Sequence, residues 1–210
     1  MSYDYLFKII FVGDVHVGKT ALVERLTTRR FTDYYHTTIG VDFSTVNVDI
    51  KEDNIKTHIW DTAGQECFSP IIQSYYRGIA GAVIIFDVAD RNSFIRVPFW
   101  LNEIKKNGNQ NHIPVIILVG NKIDKKKRSV CKDEIEDFAK NNNILYCETS
   151  AKENINVNKF YYMLIEKIYD TANLIDPDEK KGIRKGFAKH SEINVYNNRP
   201  CDNFECCKIV

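Results

Sequence analysis

A chain of 210 residues is long enough for one well-buried core with an appendage and short for two independent domains. With 44% hydrophobic and 27% charged residues it has the composition of an ordinary soluble protein, and a formal net charge of +1 gives no footprint for nucleic acid. The opening Met1, Ser2, Tyr3, Asp4 lacks the charged start and apolar run of a signal peptide, Ser2 stands where myristoylation needs glycine, and no apolar run reaches the roughly 18 residues of a membrane-spanning helix, so a cytosolic chain is expected.

The first apolar run of strand length, residues 5–12, leads into a helical pattern over 21–29. Residues 41–50 alternate apolar and polar side chains, meet Glu52, Asp53 and Asn54, and resume as a strand through Trp60, which predicts an antiparallel hairpin at a sheet edge. Further apolar runs at 82–88, 114–120 and 143–147 alternate with helical spacing at 94–106, 132–141 and 156–172. Such alternation predicts an α/β domain built on a parallel sheet with right-handed crossovers. After about Ile175 the pattern dissolves into Pro, Gly, Asn, Lys and Asp, so a domain over 1–174 and a flexible tail over 175–210 are expected. Cys67, Cys131 and Cys147 are scattered singly while Cys201, Cys206 and Cys207 crowd the end, which fits neither a disulfide framework nor a zinc site.

The run ending at Val12 passes directly into Gly13, Asp14, Val15, His16, Val17, Gly18, Lys19, Thr20 and then the first helix. This is G-x-x-x-x-G-K-[ST] in the strand–loop–helix setting it needs: glycines let backbone N–H groups face a phosphate, and a helix N-terminus favours the anion. Lys19 would reach the β- and γ-phosphates and the Thr20 hydroxyl would ligate Mg²⁺. Such a loop alone leaves ATPases, kinases and GTPases open. Asn121, Lys122, Ile123 and Asp124 follow the 114–120 run at the edge where open α/β sheets bind ligands. A carboxylate at Asp124 accepts from the N1 and N2 donors of guanine, a donor pair adenine lacks. After the next strand come Glu148, Thr149, Ser150, Ala151 and Lys152, whose backbone could meet the base O6. Asp61 ends the second hairpin strand, where a carboxylate can hold Mg²⁺ through water; next to it Gly64 can offer an N–H to the γ-phosphate and Gln65 can orient the attacking water.

With these motifs in order, the chain resembles a small GTPase of the Ras superfamily, most closely its Rab branch: GDVHVGKT, TIGVDF, WDTAGQE, NKID and ETSAK occur in the family's order, the resemblance covers residues 5 to 172, and the opening YDYLFKI is Rab-like too. The resemblance implies a P-loop GTPase fold with a six-stranded, mostly parallel sheet, one antiparallel edge strand and about five helices. It implies GTP/GDP and Mg²⁺ as cofactors, with Thr38 as a second Mg²⁺ ligand and γ-phosphate contact, Phe31 stacking on guanine, and Tyr35 covering the phosphates. Gln65, Lys19 and Thr38 are then the catalytic set. Ile39, Phe43, Trp60 and Tyr75 resemble the surface that effectors read in the GTP state, although the last three, taken as residues, belong in a core.

Two departures touch chemistry and partners. Val15 stands where relatives carry glycine or a small residue, and its branched side chain would crowd Gln65 and an inserted arginine, which predicts slow hydrolysis or, at the limit, a GTP-locked effector-binding module. Cys67, Phe68, Ser69 and Pro70 replace the usual Arg-Phe pattern, which bears on partner choice. The end Cys206, Cys207, Lys208, Ile209, Val210 reads either as C-a-a-X or as a Rab double-cysteine terminus, the latter favoured by the Rab-like body. Prenylation there, with the basic stretch Lys180, Lys181, Arg184, Lys185 and Lys189, implies attachment to the cytoplasmic face of an intracellular membrane and cycling with the cytosol. The implied partners are effectors, an exchange factor, a GTPase-activating protein and prenylation escort proteins.

Overall fold

The computed structural model describes residues 3–33, 38, 40–64, 74–108, 114–174 and 183–185. Strand β1 (Tyr5–Val12) is buried on both faces from Ile9 onward, as an unbroken apolar run demands of a central strand. The hairpin β2 (Val41–Ile50) and β3 (Asp53–Thr62) alternates exposed and covered positions instead. Its turn is tighter than the sequence suggests, because Ile50 pairs with Asp53 and only Lys51, at φ 56°, and Glu52 lie between the strands. Asn54 is drawn into β3 by Asp4, whose Oδ2 accepts its N–H at 2.8 Å. Strands β4 (Gly81–Asp87), β5 (Val115–Asn121) and β6 (Leu145–Glu148) complete the order β2-β3-β1-β4-β5-β6, with β2 antiparallel to β3 and the other pairs on that path parallel. The six-stranded, mostly parallel expectation therefore holds.

Among the described residues five helices flank the sheet: α1 (Lys19–Thr28), α2 (Arg91–Ile95), α3 (Val97–Asn107), α4 (Lys132–Asn141) and α5 (Val157–Leu174). The single helix expected over 94–106 is two. It starts earlier because the Asp90 carboxylate caps it, accepting the Asn92 N–H at 3.0 Å, and it breaks at Arg96 because Pro98 has no N–H for the Phe94 carbonyl. Phe7, Ile9 and Phe11 of β1 pack with α1 and α5 on one face of the sheet, and Ile10 and Val12 pack with α2, α3 and α4 on the other. Truncating a ring such as Phe11, fully buried under α5, would cost about 3–5 kcal/mol.

Beyond residue 174 the structure adds an element that composition did not announce. Strand β7 (Ile183–Lys185) runs antiparallel to β1, pairing Tyr5 with Lys185 and Phe7 with Ile183. Because β3 holds the opposite edge and pairing with β4 begins only at Ile9, β7 takes the stretch of β1 that β4 leaves open. No helix among the described residues is long and apolar enough to cross a membrane.

Candidate functional site

The loop 13–18 leaves the carboxyl end of β1 and turns into α1, whose first residue is Lys19 and whose cap, Gly18 at φ 96°, offers no side-chain acceptor. The N–H groups of the first turn thus stay available to an anion. A Cβ on Gly18 would lie 2.4 Å from Asn121 Nδ2, so only glycine lets the base-side motif close on the loop. Lys19 is buried, and its Nζ donates to the carbonyls of Gly13 at 3.0 Å and Asp14 at 2.8 Å. Burial pulls its ammonium down to about 8, opposed by the charges of Asp61 and Asp14. A desolvated cation held by carbonyls alone is one that phosphate oxygens would stabilise further. The Asp14 side chain turns away from Lys19: its Oδ1 accepts from Arg96 Nε and Trp100 Nε1, both at 2.9 Å, anchoring the loop to α3 and the residue before it.

A second corner gathers hard oxygen donors. Thr20 Oγ1 donates to Asp61 Oδ2 at 2.6 Å and lies 2.7 Å from Thr38 Oγ1, while Asp61 Oδ1 is buried with no hydrogen-bond partner. Burial pushes the Asp61 carboxyl up to about 6, against the Thr20 hydrogen bond and the Lys19 charge. Two hydroxyls and a carboxylate with an orphaned oxygen suit a hydrated Mg²⁺, and the residues present fit that ion. No cluster of three or more His, Cys, Asp or Glu occurs among the described residues. Gly64 follows two residues past β3, where a Cβ would lie 2.4 Å from the Val15 nitrogen.

On the base side, Asn121 is buried and works with every polar atom: Nδ2 donates to the Val17 carbonyl at 2.9 Å, and Oδ1 accepts from Thr149 Oγ1 at 3.1 Å and the Ala151 N–H at 3.2 Å. Lys122, at φ 67°, donates Nζ to the His16 carbonyl and stands 3.0 Å from Asp87 Oδ2, an oxygen that also receives Lys125 at 2.7 Å. Burial alone would raise the Asp87 carboxyl, yet Lys125, the Ala89 N–H and Lys122 together hold it below the usual range. Asp124 is exposed and accepts from Ser150 Oγ at 2.5 Å, and Lys152 is exposed with Nζ 3.7 Å from Asp33. The phosphate loop and the two base-side loops are thus one hydrogen-bonded unit. Asp87 and Arg25 were not anticipated. Asp87 had a signal, a lone acid closing an apolar run; Arg25, which binds the carbonyls of Ala151 and Lys152, had none.

The aromatic trio forms a ladder from core to surface: Trp60 and Tyr75 pack half-buried against the core, as expected of such residues, while Phe43 stands in water. Phe43 is 48% exposed, its ring meets Trp60 edge-on at 5.5 Å, and Trp60 lies 5.2 Å from Tyr75. Phe31 packs partly buried against the α1–α5 core, with the Arg25 guanidinium 5.6 Å from its ring centre. Tyr35, Ile39, Gln65, Cys206 and Cys207 lie outside the described residues, as do Cys67, Phe68, Ser69 and Pro70.

A phosphate loop, a hydroxyl–carboxylate corner and a base-side loop pair, all at the carboxyl ends of β1, β3, β5 and β6, make this a P-loop GTPase fold. The model of the Ras family matches residues 8–170, and the chain belongs to that family. Ras-family GTPases bind GTP and GDP with Mg²⁺, hydrolyse GTP, and switch between states recognised by effectors, exchange factors and GTPase-activating proteins.

Proposed function

We propose that this GTPase is a Rab-type switch, attached to an intracellular membrane by a prenylated tail and recruiting effectors in vesicle trafficking. The observation that carries the reading is the Phe43–Trp60–Tyr75 ladder, in which exposed Phe43 and half-buried Trp60 lie on the hairpin whose last residues include Asp61, and half-buried Tyr75 packs on Trp60 from outside it. Large rings left half in water beside a nucleotide-sensing corner suit a partner that binds in one nucleotide state. The G domain is assigned to 1–174 and the tail to 175–210, with Cys206 and Cys207 as lipid sites.

In this reading Asp124 and the 150–152 loop select guanine, while Gly13 to Thr20 cradle the phosphates with Lys19 on the β- and γ-oxygens. Thr20, Thr38 and Asp61 hold Mg²⁺, which when bound neutralises charge on the phosphates. Gln65 orients the attacking water, and Gly64 brings its N–H to the γ-phosphate. Positioning, rather than covalent chemistry, supplies the catalysis. Intrinsic turnover is expected to be slow because a branched side chain at Val15 would crowd the water-orienting Gln65 as the transition state forms; the rival reading is an effector-binding module locked on GTP.

The purified protein tests this in two measurements. Tight retention of GDP with rejection of ADP is expected, and comparable affinities would overturn the guanine assignment. Single-turnover GTP hydrolysis is expected to be slow alone and accelerated by a Rab-type GTPase-activating protein; no acceleration would favour the locked module. In cells the tagged full chain should sediment with membranes, and Cys207→Ser leaving that fraction unchanged would remove the tail assignment.

A further inference from the structure

Arg25 lies on α1 about 1.7 turns past Lys19, on the half-buried side of the helix. Its guanidinium donates three ways: Nε to the Ala151 carbonyl at 2.7 Å, Nη2 to the Lys152 carbonyl at 2.7 Å, and Nη1 to the Arg29 carbonyl at 2.8 Å. Arg29, in the left-handed region at φ 59°, is the cap of α1 and returns its N–H to the Arg25 carbonyl at 3.2 Å. The plane of the guanidinium also lies near the Phe31 ring. The end of α1, Phe31 and the 151–152 loop, the last more than a hundred residues away in the chain, therefore converge on one side chain.

None of these contacts reaches the phosphate cradle, yet each bears on the base end. Ala151 is the residue whose N–H already approaches Asn121, and Lys152 follows it. The helix that carries Arg25 begins at Lys19 and Thr20, so it acts as a rod about 9 Å long between the phosphate residues and the fork. We propose that Arg25 is a positioning residue for the guanine base: it fixes the 150–152 loop and Phe31 at a set distance from the phosphate cradle and thereby slows nucleotide release. This rests on the guanine-nucleotide reading given above.

The chemistry asks for arginine. A planar fork with fixed donor directions spans two successive carbonyls and the helix end at once, whereas a lysine ammonium is a single point on a flexible stem. Without the fork, the Ala151, Lys152 and Arg29 carbonyls lose their donors, and the loop must be ordered anew each time a base binds.

The test uses full-length protein carrying Arg25→Lys and, separately, Arg25→Met, loaded with fluorescent mant-GDP and chased with excess GDP. Both variants are expected to release nucleotide about tenfold faster than wild type, the loss of one or two charge-assisted hydrogen bonds. The same ratio is expected after EDTA removes Mg²⁺, because the defect lies at the base and not at the cation corner. Single-turnover hydrolysis of pre-bound GTP should stay within about twofold, since the phosphates are untouched. Release within about twofold of wild type, rescue by lysine, or a ratio that collapses in EDTA would each overturn the role. Hydrogen exchange on wild type covers the case of a variant that does not fold: GDP should slow the amides of 150–153 and 29–31 together, and protection of one segment without the other would also reject the coupling. Failure of wild type to retain GDP at all would instead reject the guanine reading itself.

Discussion

Gly64 sits so close to Val15 that a Cβ on the glycine would lie 2.4 Å from the Val15 backbone nitrogen and 2.6 Å from the Asp14 carbonyl carbon. These are backbone atoms, which cannot swing aside as a side chain would. The loop after β3 and the phosphate loop therefore meet through bare backbone, at the place where a γ-phosphate would be sensed. Gly64→Ala must push the two loops apart by about an ångström, a displacement that can cost about a hundredfold in rate when reacting groups are misaligned. Single-turnover GTP hydrolysis should fall by that order while GDP affinity stays within about threefold. Equal losses in both would show that the glycine serves the fold and not the reaction.

Val15 itself is half-buried, and in the proposed reading its branched side chain crowds the reacting groups. Val15→Gly removes that volume and should raise single-turnover hydrolysis on the order of tenfold, about 1.4 kcal/mol of barrier, with a larger gain when a GTPase-activating protein is added. An unchanged rate in both conditions would separate slow turnover from this residue.

How much of this is legible in the sequence depends on the range of the interaction. The phosphate loop, Asp61 and Asn121 could be read because each lies at the end of an apolar strand run, and the topology of a parallel sheet sends all such ends to one edge. The exposure of Phe43 could not: an aromatic in an apolar–polar strand pattern looks like core, as Trp60 and Tyr75 in part are, and only the edge position of β2 leaves Phe43 in water. The split between α2 and α3 had a visible cause in Pro98 that the helical spacing of the apolar residues overrode. Arg25, the Asp14 anchor to Arg96 and Trp100, and β7 are long-range contacts without periodicity, so nothing local encodes them.

Trp100 offers a clean probe of one such contact. Its Nε1 donates to Asp14 while its ring is buried under the sheet, so Trp100→Phe removes the donor and part of the ring. Arg96 still binds the same Asp14 oxygen, but that pair is partly exposed. A stability loss of about 1–3 kcal/mol in denaturant unfolding is expected. Since the anchored residue belongs to the phosphate loop, GDP should also leave the variant faster; a stability loss with unchanged release would limit Trp100 to packing.

Asp124 accepts from Ser150 Oγ and remains exposed, so its carboxylate has acceptor capacity left for a base. Asp124→Asn replaces one acceptor with an NH₂ donor. Guanine then faces a donor where its own N2 amino group needs an acceptor, while xanthine, with a carbonyl at that position, gains a partner. The variant should lose GDP affinity by about four orders of magnitude, the scale of discrimination a hydrogen-bonding site achieves, and bind xanthosine diphosphate instead. Competition of the two diphosphates against mant-GDP reads this directly, and retention of GDP preference would place base selection elsewhere.

The Asp61 carboxyl gives the cation corner a pH dependence whose sign can be worked out. Burial raises its pKa from 3.8 to about 6, outweighing the Thr20 hydrogen bond and the Lys19 charge. A group raised by folding holds its proton more tightly in the folded chain, so the nucleotide-free protein gains stability as pH falls through 6 toward 3.8. Mg²⁺ works in the opposite direction, because it requires the carboxylate and must displace that proton in acid. With Mg²⁺ present, nucleotide release should therefore quicken as pH drops from about 7.5 to about 5, converging on the rate in EDTA, which should change little over the same range. If the protection given by Mg²⁺ is as large at the acid end as at neutrality, Asp61 does not hold the ion through its ionised form.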